Sequence, residues 1–276
     1  EYSMEELAEK RERGTSIVMH LGAEGEEYLN AANLKAILDK YCAFMPCEIF
    51  FDDGEDKADD YVAAPINDTV PLWLKNPSDC TEEEYKNFYH KVFNDYKDPL
   101  FWIHIKADYP LNFRGILYFP KLNTEFESLE GQVKLYYNQV FVADNIKEVI
   151  PEYLLMLKGV LDCPELPLNV SRSYLQNNGY VTKISNQVAD KLSSMFNHDR
   201  EGYEKQWSDI KSFVEYGCMR DSKFYSKVEN AIIFEKCDST YVTLDEYLEA
   251  AKEKHENKVY YANDKGASAF YINMYN

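Results

Sequence analysis

One segment of the sequence carries residues suited to phosphate chemistry, Leu166 to Gln176, which reads LPLNVSRSYLQ. Pro164 and Pro167 bracket an extended stretch, and Arg172 follows it just before a helix start predicted at Tyr174. A rigidly presented guanidinium can bind a phosphate through two hydrogen bonds and stabilise charge during phosphoryl transfer. The residues alone leave a second interpretation open, because a loop arginine is more often a salt-bridge partner or a helix-end residue.

The other residue types that carry chemistry form no recognisable catalytic or metal-binding motif. The five histidines include no pair at i,i+4 spacing, and the sequence has no P-loop, G-x-G-x-x-G, G-x-S-x-G or H-E-x-x-H pattern. The six cysteines include no C-x-x-C pair. We interpret the histidines as surface or strand residues and the cysteines as small buried side chains in a reducing cytosol. No metal site is predicted.

The charge balance excludes several classes of partner. The 276 residues include 30 basic and 48 acidic side chains, which gives a net charge of −18. Because a chain with this much negative charge repels phosphate backbones and anionic lipid, we expect neither nucleic acid nor a membrane as a partner. No apolar stretch reaches the roughly 18 residues that span a bilayer, and the first residues lack the apolar core of a signal peptide.

Helix and strand patterns are mixed along the chain, which indicates an α/β or α+β fold. Two capping boxes, Thr81 with Glu84 and Thr243 with Glu246, predict the starts of helices that run to about Asp95 and Glu256. Further helices are expected at Leu34–Tyr41, from Pro151 to about Val160, and as three or four segments between Ile184 and Phe234. Strands are expected at Gly14–Leu21, Glu48–Phe51, Leu100–Lys106, Phe113–Phe119, Val133–Val142 and Val259–Tyr261.

An acidic run separates the first fifty residues from the rest. Phe51 to Asp60 reads FDDGEDKADD, with six acids and one lysine. Charges this dense repel one another and resist desolvation, so the run cannot pack into a core. We interpret it as a solvated linker whose far end is marked by Pro65. A long surface loop inside one domain is the alternative.

The order of several further segments resembles the ninety-kilodalton heat-shock protein family of chaperones, in its bacterial form. The resemblance is colinear and covers nearly the whole chain. It rests on GTSIVMHL, PLWLKNPSDCTEEEYKNFYHKVFND, DPLFWIHI, FRGILYFP, VKLYYNQVFVADN, EVIPEYLLMLKGVLDCPELPLNVSRSYLQ, TLDEYL and NKVYYA.

The resemblance implies a division of the chain. Residues 1–50 correspond to the C-terminal part of the family's N-terminal nucleotide-binding domain, residues 51–68 to an acidic linker, and residues 69–276 to the middle domain. That domain is expected to comprise a large three-layer α/β/α unit at about 69–180, a helical connector at about 181–235, and a smaller, incomplete α/β/α unit at about 236–276. The chain would then be a fragment, because the family's ATP-pocket motifs and its dimerising C-terminal domain lie outside these segments.

The resemblance also assigns site residues. Arg172 falls on the middle-domain arginine that reaches the γ-phosphate of ATP held in the other domain, and Gln176 and Asn169 fall on polar positions of the same catalytic loop. Phe141 falls on an apolar position near the interdomain contact and the client surface, and Tyr96 falls where some members carry an exposed tryptophan. Core packing is the alternative for Phe141 and Tyr96.

The implied function is that of an ATP-dependent chaperone, cytoplasmic and stress-induced, that binds unfolded or partly folded clients. ATP, with Mg, would be bound mainly by the N-terminal domain of the same protein, so this chain alone is not expected to be an enzyme. The parent is expected to be a homodimeric ATPase. Many members have basic residues where this chain has Asn138 and Gln139, so a charge contact made there by relatives need not carry over. The alternatives are a self-contained enzyme of unknown type and a plain protein-interaction module.

Overall fold

A mixed five-stranded sheet forms the centre of the fold. The computed structural model describes residues 13–54, 62–108, 112–121, 132–145, 151–154, 156–165, 178–255, 258–264, 266–270 and 272. The sheet contains β1 (Phe101–Ala107), β2 (Phe113–Phe119), β3 (Gln132–Tyr137), β4 (Val140–Asp144) and β5 (Lys158–Asp162). Its spatial order is β1-β2-β5-β3-β4, and only the β3–β5 pair is parallel.

Helices surround this sheet and extend beyond it. They are α1 (Ala31–Cys42), α2 (Glu82–Phe93), α3 (Asn178–His198), α4 (Arg200–Arg220), α5 (Ser222–Val228) and α6 (Leu244–His255). A small antiparallel pair, β6 (Ile233–Glu235) with β7 (Tyr241–Thr243), precedes α6. The mixture of helices with a sheet confirms the predicted α/β class.

Both predicted capping boxes form. The Thr81 hydroxyl accepts from the Glu84 amide at 3.2 Å, and the Glu84 carboxylate accepts from the Thr81 amide at 2.8 Å. Thr243 and Glu246 make the same pair of bonds, at 3.1 and 2.7 Å. Each pair satisfies donors that a helix start would otherwise leave unpaired, which explains why α2 and α6 begin where the sequence predicts.

The sheet is apolar on both faces, because alternate residues of its strands point to opposite sides. Ile116, Tyr118, Tyr136 and Val160 face an aromatic core that also contains Trp73. The intervening residues of the same strands face a larger core with α3, α4 and α5. That second core includes Leu117, Leu135, Leu161, Ile184, Val188, Tyr203, Trp207 and Phe213.

Four sequence predictions of local structure are wrong. The segment after Pro151 forms a short 3-10 helix, Glu152–Leu154, and then the central strand β5 instead of one helix. Its apolar run suits either structure, and pairing with strands on both sides favours the strand. Residues 14–21 are exposed and pair with no described strand, and neither 48–51 nor 259–261 is a strand. An isolated extended segment has no ladder to stabilise it.

The predicted strand Val133–Val142 is a hairpin. The chain reverses between β3 and β4 at Asn138 and Gln139, whose φ angles are +48° and +67°. Two successive left-handed residues are what a tight two-residue hairpin turn requires, and asparagine tolerates this region better than most residues. The turn places Gln139 against the end of β5.

Candidate functional site

The three predicted loop residues, Asn169, Arg172 and Gln176, lie outside the described residues. The structure does describe both flanks of the segment 166–177 that carries them. The chain enters the segment from the end of β5 and leaves it at the start of α3. The two flanks therefore determine where this segment starts and ends on the fold.

The first flank is held in the centre of the sheet. β5 pairs with β2 on one side and with β3 on the other, and the Cys163 amide continues the ladder by donating to the Tyr136 carbonyl at 3.0 Å. Cys163 is fully buried, and burial raises the pKa of its thiol well above the ordinary value. Cys163 therefore acts as a small buried residue here, as the sequence predicts, and not as a nucleophile.

Asp162 ends β5 and is a buried carboxylate. Its Oδ2 accepts from the indole Nε1 of Trp73 at 3.3 Å and from the Gln139 amide at 3.1 Å. Its Oδ1 has no hydrogen-bond partner among the described residues. Burial raises the pKa of Asp162, and the bonds from Trp73 and Gln139 partly oppose that shift. The carboxylate thereby ties β5 to two segments that are distant in sequence.

The second flank is fixed by a hydroxyl network. Ser185, about two turns into α3, lies 2.5 Å from the Tyr153 hydroxyl and donates to Asp221 Oδ2 at 3.2 Å. Burial raises the pKa of Tyr153, so its hydroxyl stays protonated. Among the described residues, the base that Ser185 contacts is the Asp221 carboxylate, whose other oxygen caps α5 by accepting from the Lys223 and Phe224 amides. We therefore interpret the network as a structural one that fixes α3 to the helix pair α4–α5.

The structure places the two predicted contact residues in opposite environments. The Phe141 side chain is only 9% exposed, and its ring packs edge-on against Tyr41 of α1 at 5.6 Å and against Tyr136 at 5.8 Å. Tyr96 is 89% exposed. In this arrangement Tyr96 is accessible to another protein, whereas the Phe141 ring is covered by a residue from the first fifty.

The turn that carries Tyr96 is anchored on both sides. Asp95 accepts from the Tyr89 hydroxyl at 2.7 Å and pairs with Lys158 at 2.6 Å. Although burial opposes it, these partners lower the pKa of Asp95 to about 2. Asp98 pairs with His90 at 3.0 Å. The exposed ring therefore projects from a turn of fixed shape.

Sequence reasoning missed Asp162, Trp73 and Gln139 as a connected group. The one local signal is an acid at the end of the apolar run GVLD, since an acid there must either reach solvent or find buried donors. The donors come from residues 89 and 23 positions away, so no local pattern could identify them. Asn138 and Gln139, noted for their lack of charge, form the hairpin turn.

No three His, Cys, Asp or Glu side chains come close enough to hold a metal ion, as far as the described residues extend. Within the same residues no helix is both long and apolar enough to cross a bilayer. His104, one of the five histidines, lies in β1 and shares a 2.7 Å hydrogen bond with the Tyr85 hydroxyl. Burial lowers the pKa of His104, which keeps its ring neutral.

Comparison with known proteins identifies the family. Residues 52–271 match the model of the family described as Hsp90 protein. The chain is 41% identical to a chaperone protein HtpG of Bacteroides fragilis over 99% of its length, and 40% identical to one from Porphyromonas gingivalis over 96%. A more distant HtpG, from Desulfitobacterium hafniense, is 31% identical over 91% of the chain.

The chain spans about two fifths of the length of these relatives, since the matches cover 42%, 41% and 41% of them. The expected resemblance to the ninety-kilodalton heat-shock proteins is thereby confirmed. The chain belongs to the Hsp90 family of chaperones, in its bacterial HtpG type.

Proposed function

We propose that this chain is part of an ATP-dependent chaperone in which it supplies Arg172 to the γ-phosphate of ATP bound by another domain. The observation that carries the proposal is how the segment 166–177 is attached. It leaves the central strand β5 and enters α3, and both flanks are fixed by buried contacts of Asp162 and Ser185. Fixed flanks limit the entropy lost when the segment binds a ligand.

The chemistry of the three side chains fits a phosphate group. The guanidinium of Arg172 offers a planar set of donors that matches phosphate oxygens, and the amides of Asn169 and Gln176 can donate to the same anion. None of the three supplies a carboxylate, so Mg²⁺ would be held mainly by the domain that binds ATP, with the phosphate itself. The role of Arg172 would be to stabilise charge that develops on the γ-phosphate.

The nucleotide would act on the conformation of the whole protein. If Arg172 contacts ATP only when the two domains close, ATP has a higher affinity for the closed state and shifts the population toward it. The partners in this proposal are the N-terminal ATP-binding domain of the same protein, a second copy in a homodimer, and client proteins in the cytoplasm. This chain by itself would neither bind ATP tightly nor hydrolyse it.

For client contact we favour Tyr96 over Phe141. A large aromatic ring that is exposed on a fixed turn can bury apolar area against an unfolded segment at a small entropic cost. Phe141 is already buried against Tyr41, so we assign it to the contact with the first fifty residues. A Tyr96→Ala variant of the full-length chaperone should bind an unfolded model client more weakly and keep its ATP turnover.

The catalytic proposal is tested with Arg172→Ala in the full-length chaperone. We expect ATP turnover to fall by at least tenfold while nucleotide affinity changes by less than about threefold, because the other domain provides most of the binding energy. Arginines supplied in this way raise the turnover rate of GTPases by a factor of roughly 10³–10⁵. A slow closure step that limits turnover would make the factor smaller here. Arg172→Lys should restore turnover only in part, since an ammonium lacks the planar fork.

The matched control is Arg220→Ala, an exposed arginine at the end of α4 that is not expected to affect turnover. Turnover of Arg172→Ala within about twofold of wild type would overturn the assignment of Arg172. ATP hydrolysis by a pure preparation of this chain that persists in Arg172→Ala would instead favour a self-contained enzyme.

A further inference from the structure

We infer that His90 positions Tyr96 for client contact, so that an unfolded apolar segment binds more tightly at mildly acidic than at mildly alkaline pH. The inference rests on the proposed role of Tyr96 and concerns how that same site is regulated. We call residues 94–98 the Tyr96 turn. It follows α2 and leads toward β1.

The Tyr96 turn has no regular secondary structure that would fix its shape. α2 ends at Phe93, and Asn94 then adopts a left-handed conformation with a φ of +49°, which stops the helix. The side chain of Tyr96 is almost fully exposed, so it contributes little packing. The shape of the turn therefore depends on the contacts of two acids, Asp95 and Asp98.

Asp95 anchors the first half of the Tyr96 turn. Its carboxylate accepts from the Tyr89 hydroxyl at 2.7 Å and from the Lys97 amide at 3.1 Å, and it pairs with Lys158 at 2.6 Å. Burial raises the pKa of Asp95, but these partners outweigh burial and hold the value at about 2, and burial also raises the pKa of Tyr89. Neither Asp95 nor Tyr89 changes its charge between about pH 5.5 and 9, so this anchor does not depend on pH.

His90 joins the two halves of the turn and can change its charge near neutral pH. Its Nδ1 faces the Asp95 carbonyl, and its Nε2 lies 3.0 Å from Asp98 Oδ1. Both partners are acceptors, so the ring must carry a proton on each nitrogen to donate to both. In a neutral ring, the nitrogen without a proton turns a lone pair toward an oxygen of the turn, and that half of the turn is released.

The charged and titratable groups around the ring and its two partners come from α2, the Tyr96 turn and β5. They are Lys86, Tyr89, Asp95, Asp98 and Lys158. The Asp95 carbonyl raises the pKa of His90, burial opposes this, and the Asp98 carboxylate raises the pKa further. Lys86 pairs with Asp98 at 3.0 Å whatever the charge of His90. The neutral ring therefore loosens the turn without freeing it, and we expect the affinity for a client to change by a modest factor.

The order of the turn is coupled to binding because Tyr96 lies between the two residues that His90 holds. With the ring protonated, Tyr96 is presented on a preformed turn, and a client segment binds at a small entropic cost. With the ring neutral, part of the binding free energy is used to order the turn. Affinity should therefore fall as the pH rises through the folded pKa of His90, and a bound client must in return raise that pKa.

The test measures binding of an unfolded peptide to the nucleotide-free full-length chaperone from pH 5.5 to pH 9. The peptide has blocked ends and contains Leu, Phe, Ser and Gln, so it carries no group that titrates in this range. For wild type we expect the Kd to increase by about three- to tenfold, as one hydrogen bond from a charged group is lost. A wild-type Kd that does not change with pH would overturn the inference.

Variants of His90 show whether this ring is the cause. His90→Gln cannot be charged and should bind with no pH dependence. His90→Lys stays charged, offers donors to both acceptors, and should keep at pH 9 the affinity that wild type shows at pH 5.5. The matched control is His198→Gln, at an exposed histidine near the end of α3 that should keep the wild-type profile. A wild-type profile shared by His90→Gln and His90→Lys would overturn the inference.

Tyr96→Ala separates the two proposals. If it binds the peptide as tightly as wild type at every pH, the client contact is wrong and the inference falls with it. If it binds weakly while wild type and His90→Gln have the same profile, the client contact stands and the role of His90 is wrong. Circular dichroism at both pH limits establishes that each variant is folded, and His90→Lys decides alone if His90→Gln is not.

NMR of labelled histidines gives a second measurement that needs no variant. Saturating peptide should raise the pKa of His90 by about half to one pH unit, because a tenfold ratio of affinities corresponds to one unit. A purely structural histidine would titrate in the same way with and without the peptide. An unchanged pKa of His90 in the presence of bound peptide would overturn the inference.

Discussion

Asp162 accepts a hydrogen bond from the indole of Trp73 at 3.3 Å, although 89 residues separate them in the chain. The bond joins the end of the central strand to the first aromatic residue of the globular region. Asp162 also binds the hairpin turn through the Gln139 amide at 3.1 Å. One carboxylate therefore holds together three segments that are far apart in the sequence. This carboxylate lies four residues before the segment 166–177 that carries Arg172.

We predict that Asp162→Ala lowers the free energy of unfolding by about 1–3 kcal/mol, because the Trp73 and Gln139 donors lose their acceptor inside the core. Asp162→Asn keeps an acceptor and should cost less than half as much. Urea unfolding at pH 7 measures both. Asp108→Ala, at an exposed site after β1, is the control. Equal losses in the Ala and Asn variants would show that the hydrogen bonds are not the cause.

The same carboxyl should give a defined pH dependence. Burial raises the pKa of Asp162 in the folded protein above its unfolded value of about 3.9, so protonation favours the folded state. Relative to Asp162→Asn, wild-type stability should therefore rise as the pH falls from 7 through the folded pKa, and level off below about 3.9. A difference that stays flat from pH 7 to pH 4 would contradict this.

When its ring is protonated, His90 should stabilise the turn that carries Tyr96. Its Nδ1 faces the Asp95 carbonyl and its Nε2 lies 3.0 Å from Asp98, which also pairs with Lys86. Both partners of the ring accept hydrogen bonds, and a neutral imidazole can donate to only one of them. The Asp95 carbonyl and then the Asp98 carboxylate raise the pKa of His90.

Since the folded pKa of His90 is raised, its contribution to stability should be complete below about pH 6.5 and be lost as the pH rises through the folded value. Denaturant unfolding between pH 5.5 and 9 should show this loss in wild type but not in His90→Gln. An NMR titration that places the pKa of His90 at or below its ordinary value would refute the prediction.

Gly115 should tolerate no side chain. It lies in β2 opposite Leu161, and a Cβ there would collide with the Val160 carbonyl oxygen and come within 2.8 Å of Leu161 Cδ2. Because both atoms belong to the central strand, Gly115→Ala should destabilise the protein by about 1–3 kcal/mol or more. Thermal unfolding measures the loss, and Gly22→Ala, where a Cβ meets nothing within 4 Å, is the control.

Asp221 should contribute more to the free energy of unfolding than an ordinary helix cap does. It caps α5 by accepting from the Lys223 and Phe224 amides, and it also accepts from Ser185. Asp221→Ala should therefore cost more than the roughly 1 kcal/mol of a lost cap. Asp199→Ala, which removes only a cap of α4, is the comparison.

A double-mutant cycle isolates the part of Asp221's contribution to stability that depends on its hydrogen bond with Ser185. In a Ser185→Ala background the cost of Asp221→Ala should fall toward that of Asp199→Ala. If the cost is the same in both backgrounds, the hydroxyl network does not fix α3.

The sequence predicted those elements whose signals are local. The capping boxes at Thr81 and Thr243 identified two helix starts, because both partners of a box lie within four residues. β1 and β2 were predicted nearly to the residue, since Pro110 separates two runs of apolar and β-branched residues. The Val133–Val142 segment was predicted as extended but not as a hairpin, because its turn lacks the glycine that usually marks one.

The candidate site residues were predicted from the family resemblance and not from local patterns. A colinear series of segments, the one with Arg172 among them, indicated the family, and comparison with known HtpG chaperones confirmed that membership. The roles of Asn169, Arg172 and Gln176 stay predictions, as does the division at residues 50 and 68. The partners that hold the flanks of the segment, through Asp162 and Ser185, could not be identified from the sequence, because they lie 23 or more positions away.

By itself the sequence determined the family, the α/β class and the helices that begin at capping boxes, because each depends on neighbouring residues or on a long colinear pattern. Only the tertiary structure decided that Lys158–Asp162 forms a central strand, that Phe141 is buried against Tyr41, and that Phe44 fills a place in the aromatic core. Each of these outcomes depends on burial and hydrogen bonding with residues far away in the chain. An apolar run is compatible with several structures, and the partner that buries it selects one.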